Sequence, residues 1–154
     1  MIKQLHNNSV IQCIQLMEKS LQYNQYEAYP ENQRCWIQHL TKHIEEQVKE
    51  NPHYIAVGDF DDGQLHGFLL ASSFKNYYTQ QYVMDVKDCI VDHSRNSVYT
   101  VTRLFDHMID HTEHHGGMYW RADTIRTGDA GIKYVEFLAK KYNAIPFHGV
   151  HGRV

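Results

Sequence analysis

The chain opens on Ile2-Lys3-Gln4-Leu5, whose alternation of apolar and polar positions predicts a short strand. Val10, Ile11, Ile14, Met17 and Leu21 then recur at spacings of three and four, which sets them on one face of a helix. Asn7-Asn8-Ser9, just ahead, supplies side chains suited to capping it. Tyr29-Pro30-Glu31-Asn32 reads as a break in the chain. A second amphipathic helix follows, with Trp36, Ile37, Leu40, Ile44 and Val48 inward. It ends before Asn51-Pro52, because a residue preceding proline avoids helical geometry. Residues 54–58 and 65–73 are apolar runs around the turn signal Asp61-Asp62-Gly63 and predict a hairpin. Residues 82–91, rich in Val, Tyr and Ile, make a third extended segment. The loop Asp92-His93-Ser94-Arg95-Asn96 leads into a helix over 97–115, with Val98, Val101, Leu104, Phe105, Met108, Ile109 and Thr112 as its core face. Gly116-Gly117 stops it. A strand over 118–125, an amphipathic helix over 131–142 and a terminal strand over 145–150 complete the order β-α-α-β-β-β-α-β-α-β. The expectation is one α/β (α+β) domain spanning 1–154, with a mixed central sheet flanked by four helices.

Composition narrows this further. A length of 154 residues fits one domain, and 42% hydrophobic with 21% charged residues is ordinary for a globular chain. Apolar runs such as Gly67-Phe68-Leu69-Leu70-Ala71 fall far short of the roughly 18 residues of a membrane span. The net charge of −3 is uneven: eight of the fifteen basic but only six of the eighteen acidic residues lie from Arg95 onward. That mild basic bias suits a phosphate-bearing ligand and is too weak for nucleic acid. The N-terminus turns polar at once, unlike a secretory leader. Cys13, Cys35 and Cys89 are odd in number and form no CxxC, which argues for a reducing compartment and against disulfides or a thiolate metal site. A soluble cytoplasmic protein is expected, with no membrane and no nucleic-acid partner.

The order of elements is similar to that of the Gcn5-related N-acetyltransferases (GNAT) over nearly the whole chain. Three stretches carry the resemblance. Tyr54-Ile55-Ala56-Val57-Gly58 with Asp62-Gly63-Gln64-Leu65-His66-Gly67-Phe68-Leu69-Leu70 resembles the family's central hairpin. Val91-Asp92-His93-Ser94-Arg95, followed by an apolar helix, stands where its fourth strand runs into the cofactor loop. Phe137-Leu138-Ala139-Lys140-Lys141-Tyr142 resembles its last helix.

The resemblance implies acetyl-CoA as cofactor, held by Val91, Arg95, Asn96, Ser97, Val98, Tyr99 and Thr100. The family's loop follows [Arg/Gln]-x-x-Gly-x-[Gly/Ala], whose glycines let backbone N–H groups and a helix N-terminus approach the pyrophosphate. Here Arg95 is kept, but Val98 and Thr100 occupy the glycine places, so the cradle is expected to be degenerate. The general acid, a tyrosine in many active members, aligns with Leu138, which donates no proton; Tyr134 and Tyr142, one turn before and after, are the displaced candidates. Candidates for the general base are the strand carboxylates Asp85 and Asp88. The Gly-Phe that closes the family motif is replaced by Tyr142-Asn143, and the eight residues after Pro146 imply a shortened final hairpin.

Two further clusters stand out. Four of the twelve histidines, His107, His111, His114 and His115, crowd one helix, and three share a face. Solvent exposure accounts for them, so no metal is assigned. Asn76-Tyr77-Tyr78-Thr79-Gln80-Gln81-Tyr82 is an aromatic, amide-rich loop suited to a protein contact. The sequence therefore favours a GNAT-fold protein without efficient acetyl transfer, serving as a protein-binding or structural component with a protein partner or as a homo-oligomer. Small divergent members of this kind occur among bacteriophage accessory and virion proteins, which would put it in the host cytoplasm or the virion. The alternative is an active acetyl-CoA-dependent enzyme acting on a primary amine by direct transfer.

Overall fold

Among the described residues, five strands lie side by side in chain order: β1 (Ile2–Gln4), β2 (Tyr54–Asp61), β3 (Gln64–Lys75), β4 (Tyr82–Val91) and β5 (Tyr119–Ala122). The computed structural model describes residues 1–21, 29–94, 96–122 and 129–146. The first three pairings are antiparallel and β4–β5 is parallel, so the chain must cross over between those two strands. The helix α3 (Ser97–His114) makes that crossover. The remaining helices are α1 (Val10–Ser20), α2 (Tyr29–Val48) and α4 (Asp129–Lys141).

β2 and β3 read as unbroken apolar runs because both faces of the sheet are covered. Ala56, Phe68, Leu70 and Ile90 turn to one side and pack with Cys13, Leu16, Met17, Leu40 and Ile44 of α1 and α2. Their neighbours Ile55, Val57, Leu69 and Ala71 turn to the other and meet Val101, Leu104, Phe105, Met108 and Leu138 of α3 and α4. Two cores thus share one sheet, and the strand period of two deals residues alternately to each.

The structure corrects four details. Tyr29-Pro30 starts α2 rather than breaking the chain; a proline in the first turn gives up an N–H that has no helical partner there. In α1 the buried stripe is Cys13, Leu16, Met17 and Ser20, while Ile11 is exposed. Polar anchors set this rotation: Gln12 bonds the Leu65 N–H and the Gly63 carbonyl of the hairpin turn, and Lys19 reaches Asp92. In α2 Val48 is exposed, and His43 and Gln47 are buried in its place. Gln47 makes paired bonds with the backbone of Ala56, 2.8 and 2.7 Å, which allows its burial. In α3 Val98 is exposed and Thr100 buried. Of the expected final strand, Ile145 and Pro146 are not in a strand and 147–150 lie outside the described residues, as do 123–125 of the fifth strand. Among the described residues no helix is long and apolar enough to cross a membrane.

Candidate functional site

β4 delivers the chain to α3 through a tight polar turn. Val91 is buried, and the next N–H, that of Asp92, donates to the His66 carbonyl at 2.8 Å. The Asp92 carboxylate accepts from the Ser94 N–H (2.9 Å), the Ser94 hydroxyl (2.6 Å) and Lys19 Nζ (2.9 Å). Burial raises the pKa of this carboxyl, but the bonds from Ser94 and Lys19 outweigh it and pull the group down to about 2. Arg95 lies outside the described residues. Asn96 caps α3, its side chain accepting the Tyr99 N–H at 3.3 Å. The first turn of α3 therefore faces the end of β4 with the N–H groups and positive dipole end that suit an anion.

Within that turn the two non-glycine residues point in different directions. Val98 and Tyr99 face solvent, whereas Thr100 is 6% exposed and its methyl lies against Gly67 of β3. A Cβ on Gly67 would stand 2.6 Å from Thr100 Cγ2. The strand supplies the space that a glycine in the helix would otherwise have left. Thr100 thus adds no bulk on the outer side of the loop, and among the described residues of the first turn the β-branched side chain turned outward is that of Val98.

The tyrosines separate. Tyr134 of α4 is half-buried and donates its hydroxyl to Ser97 Oγ at 2.6 Å, with its ring 6.2 Å from that of His93, so it belongs to the mouth of the α3 loop. Tyr142 reaches the other way, to Asp106 Oδ1 at 2.6 Å and close to the Thr102 carbonyl, packed beside Phe105 and Trp120. Burial and then the Asp106 carboxylate push its pKa well above the ordinary value of 10. Leu138 is part of the core beneath α3.

The carboxylates separate as well. Asp85, 4% exposed, pairs across the parallel ladder with Arg121, which grips it through Nε and Nη2 at 3.0 Å each, and Lys87 bonds the same group. Burial raises its pKa, yet the Arg121 and Lys87 bonds carry it below the usual carboxylate range. A group held ionised this way is a poor proton acceptor. Asp88 stands beyond a bulge, since Leu70 faces Asp88 and Ala71 faces Val86, leaving Lys87 as the extra residue. It turns to α2, where Trp36 Nε1 donates to Oδ2 at 3.3 Å and His39 Nε2 lies 3.7 Å from the same oxygen. Sequence reasoning singled out Trp36 as core and passed over His39. The signal was a Trp and a His three residues apart on one helical face, beside the buried Leu40 and His43.

Elsewhere, His111 Nε2 lies 3.1 Å from the Pro52 carbonyl and its ring packs, tilted, 4.4 Å from that of His115, and among the described residues no group of three His, Cys, Asp or Glu could hold a metal ion. Tyr77 and Tyr78 are 82% and 90% exposed, on a turn that Asn76 shapes by accepting the Tyr78 and Thr79 N–H groups.

No protein-family profile matches the sequence, and no curated protein matches it. Solved structures do. The ribosomal-protein-alanine N-acetyltransferase of Brucella melitensis biovar Abortus 2308 superposes with a TM-score of 0.71 at 19% identity, covering 100% of this chain and 98% of that one. A transcriptional regulator from Bacillus halodurans C-125 gives 0.72 at 9% identity, over 100% and 99%. The aminoglycoside N-acetyltransferase AAC(6')-Iy, in complex with CoA, gives 0.67 at 15% identity, over 100% and 98%. Likeness at these identities is likeness of fold: the chain has the mixed-sheet α+β fold of the Gcn5-related N-acetyltransferases.

Proposed function

We propose that the protein is an acetyl-CoA-dependent N-acetyltransferase acting on a primary amine. The observation that carries this reading is the placement of Thr100, whose bulk is taken up by Gly67 of β3 and leaves the outer side of the α3 loop clear. The α3 N-terminus with Asn96, Ser97, Val98 and Tyr99 would hold the pyrophosphate, and Val91 the adjoining part of the ligand. The bound thioester supplies an activated acetyl group. Tyr134, hydrogen-bonded to Ser97, is the hydroxyl best placed to give a proton to the leaving thiolate; Tyr142 is turned away and its proton is held by Asp106. Asp88 supplies the negative charge on the α2 side of β4, where a substrate ammonium would approach, while Asp85 is committed to Arg121 and Lys87. The solved structures named above include enzymes acting on a protein alanine and on aminoglycosides. A primary amine is common to both.

The second reading keeps the fold as a scaffold for a protein partner or a second copy. It is favoured by Leu138, which fills the core where many active members carry a tyrosine, and by the exposed pair Tyr77 and Tyr78. Calorimetric titration with acetyl-CoA at near-physiological salt separates the two. The enzyme reading expects a dissociation constant on the order of micromolar, lost in Gly67→Val because that side chain would drive Thr100 outward. No binding at millimolar acetyl-CoA overturns it and leaves the scaffold.

A further inference from the structure

We propose that His39 is the base that takes the proton from the substrate ammonium, with Asp88 as the positioning residue behind it. The inference rests on the acetyltransferase reading and deepens it. Trp36, His39, Leu40 and His43 follow one another on the face of α2 turned to the sheet. Leu40 and His43 are buried, while the His39 side chain stays 36% exposed at the rim, where a substrate could reach it. Asp88 is 12% exposed, and its Oδ2 takes the Trp36 N–H while facing His39 Nε2. A carboxylate steadied in this way acts on the imidazole through its charge. With Asp88 Oδ2 3.7 Å from Nε2, beyond direct hydrogen-bond distance, the anion's field favours the tautomer with the proton on Nε2 and the lone pair on Nδ1.

Proton affinity favours the imidazole over the carboxylate. An alkylammonium, with a pKa near 10, cannot attack a thioester until it loses a proton, and a base works best with a pKa near ambient pH. His39 rests neutral: burial first, then Lys87 and Lys42, lower its pKa from the ordinary 6.5. The groups around it are His43, ring to ring at 4.3 Å, Tyr54 beyond that ring, the two lysines, and Asp88. His43 donates Nδ1–H to the His39 carbonyl at 2.9 Å and is held neutral, its pKa lowered by burial to about 4. Burial, with the lysines added, thus keeps the resting ring unprotonated, and the nearby Asp88 charge favours the imidazolium once it forms. In the step itself an N–H bond of the ammonium breaks and its electron pair stays on nitrogen. The proton becomes bonded to His39 Nδ1 and is then released to solvent from the exposed side of the ring.

The test follows thiol release from acetyl-CoA with alanyl-peptide amide, tyramine and spermidine as probes, together with imidazole ¹⁵N shifts of the full chain. Wild type is expected to show a kcat/KM that falls on the acid side with an inflection below 6.5. His39→Gln removes the inflection and lowers kcat/KM at neutral pH by about 10²- to 10³-fold, with acetyl-CoA affinity unchanged within about twofold. Asp88→Asn moves the inflection to lower pH, since the imidazolium loses its anion. The His39 ring is expected as the Nε2–H tautomer at neutral pH, with that preference lost in Asp88→Asn. His39→Gln within about threefold of wild type, or an Nδ1–H tautomer in the wild type, overturns the proposal. If none of the probes is turned over while acetyl-CoA binds, the tautomer decides. Loss of acetyl-CoA binding itself is the separate failure of the acetyltransferase reading.

Discussion

Asp92 shows how one side chain can hold a turn in place. Lys19 arrives from α1 and Ser94 from the turn itself, and both bond the Asp92 carboxylate, so the turn into α3 is tied to a helix on the opposite side of the sheet. Its carboxyl sits near 2 in the folded chain against an ordinary 3.8, so between those values the folded state binds fewer protons than the unfolded one. The stability it contributes is therefore fully present above about pH 4 and is lost as the pH falls toward 2. Thermal unfolding across that range should show the loss in wild type and not in Asp92→Asn, which is expected to be less stable at neutral pH by about 2 kcal/mol. Thr100 teaches a different lesson at the same scale. A β-branched residue at a glycine place reads as an obstruction only until the partner that yields room, Gly67, is known. The two lie on different elements, and the sequence reading weighed each apart from the other.

At the scale of elements, strands were more legible than helix faces. β2, β3 and β4 announce themselves because their apolar runs are bounded by Asn-Pro, Asp-Gly and the polar Asn76 turn, and the third came out at the expected bounds. The face of α1 was read one step round from its true position, because the fixing contacts are polar. Ser20 is buried yet satisfies its hydroxyl on the Met17 carbonyl at 2.8 Å, and Gln12, at the margin, bonds two backbone groups of the hairpin turn. Hydrophobic periodicity does not register such anchors. Gln12→Ala is expected to cost about 1 kcal/mol in urea unfolding, since it leaves the Leu65 N–H unpaired where α1 covers the turn. The candidate site was legible to the same partial degree: Asp88 stood out as a strand carboxylate, but its approach to His39 exists only once α2 is packed on the sheet.

For the molecule as a whole, the two apolar layers are divided by a sheet whose strands keep chain order; β2, β3 and β4 are joined by short turns, whereas β1 reaches β2 through α1 and α2, and β4 reaches β5 through α3. That order has a kinetic consequence. The antiparallel strands β2, β3 and β4 close short loops and pair early, whereas the four residues of β5 join after α3 has folded across the sheet. A short edge strand that docks late is among the first to come away. Amide hydrogens of Tyr119–Ala122 should exchange with deuterium through a local opening, well ahead of those in the middle of β3, which exchange only when the whole domain unfolds. The edge of β4 that leads toward Asp88 would then be uncovered for brief intervals while the rest of the sheet stays intact, a breathing motion at the border of the site.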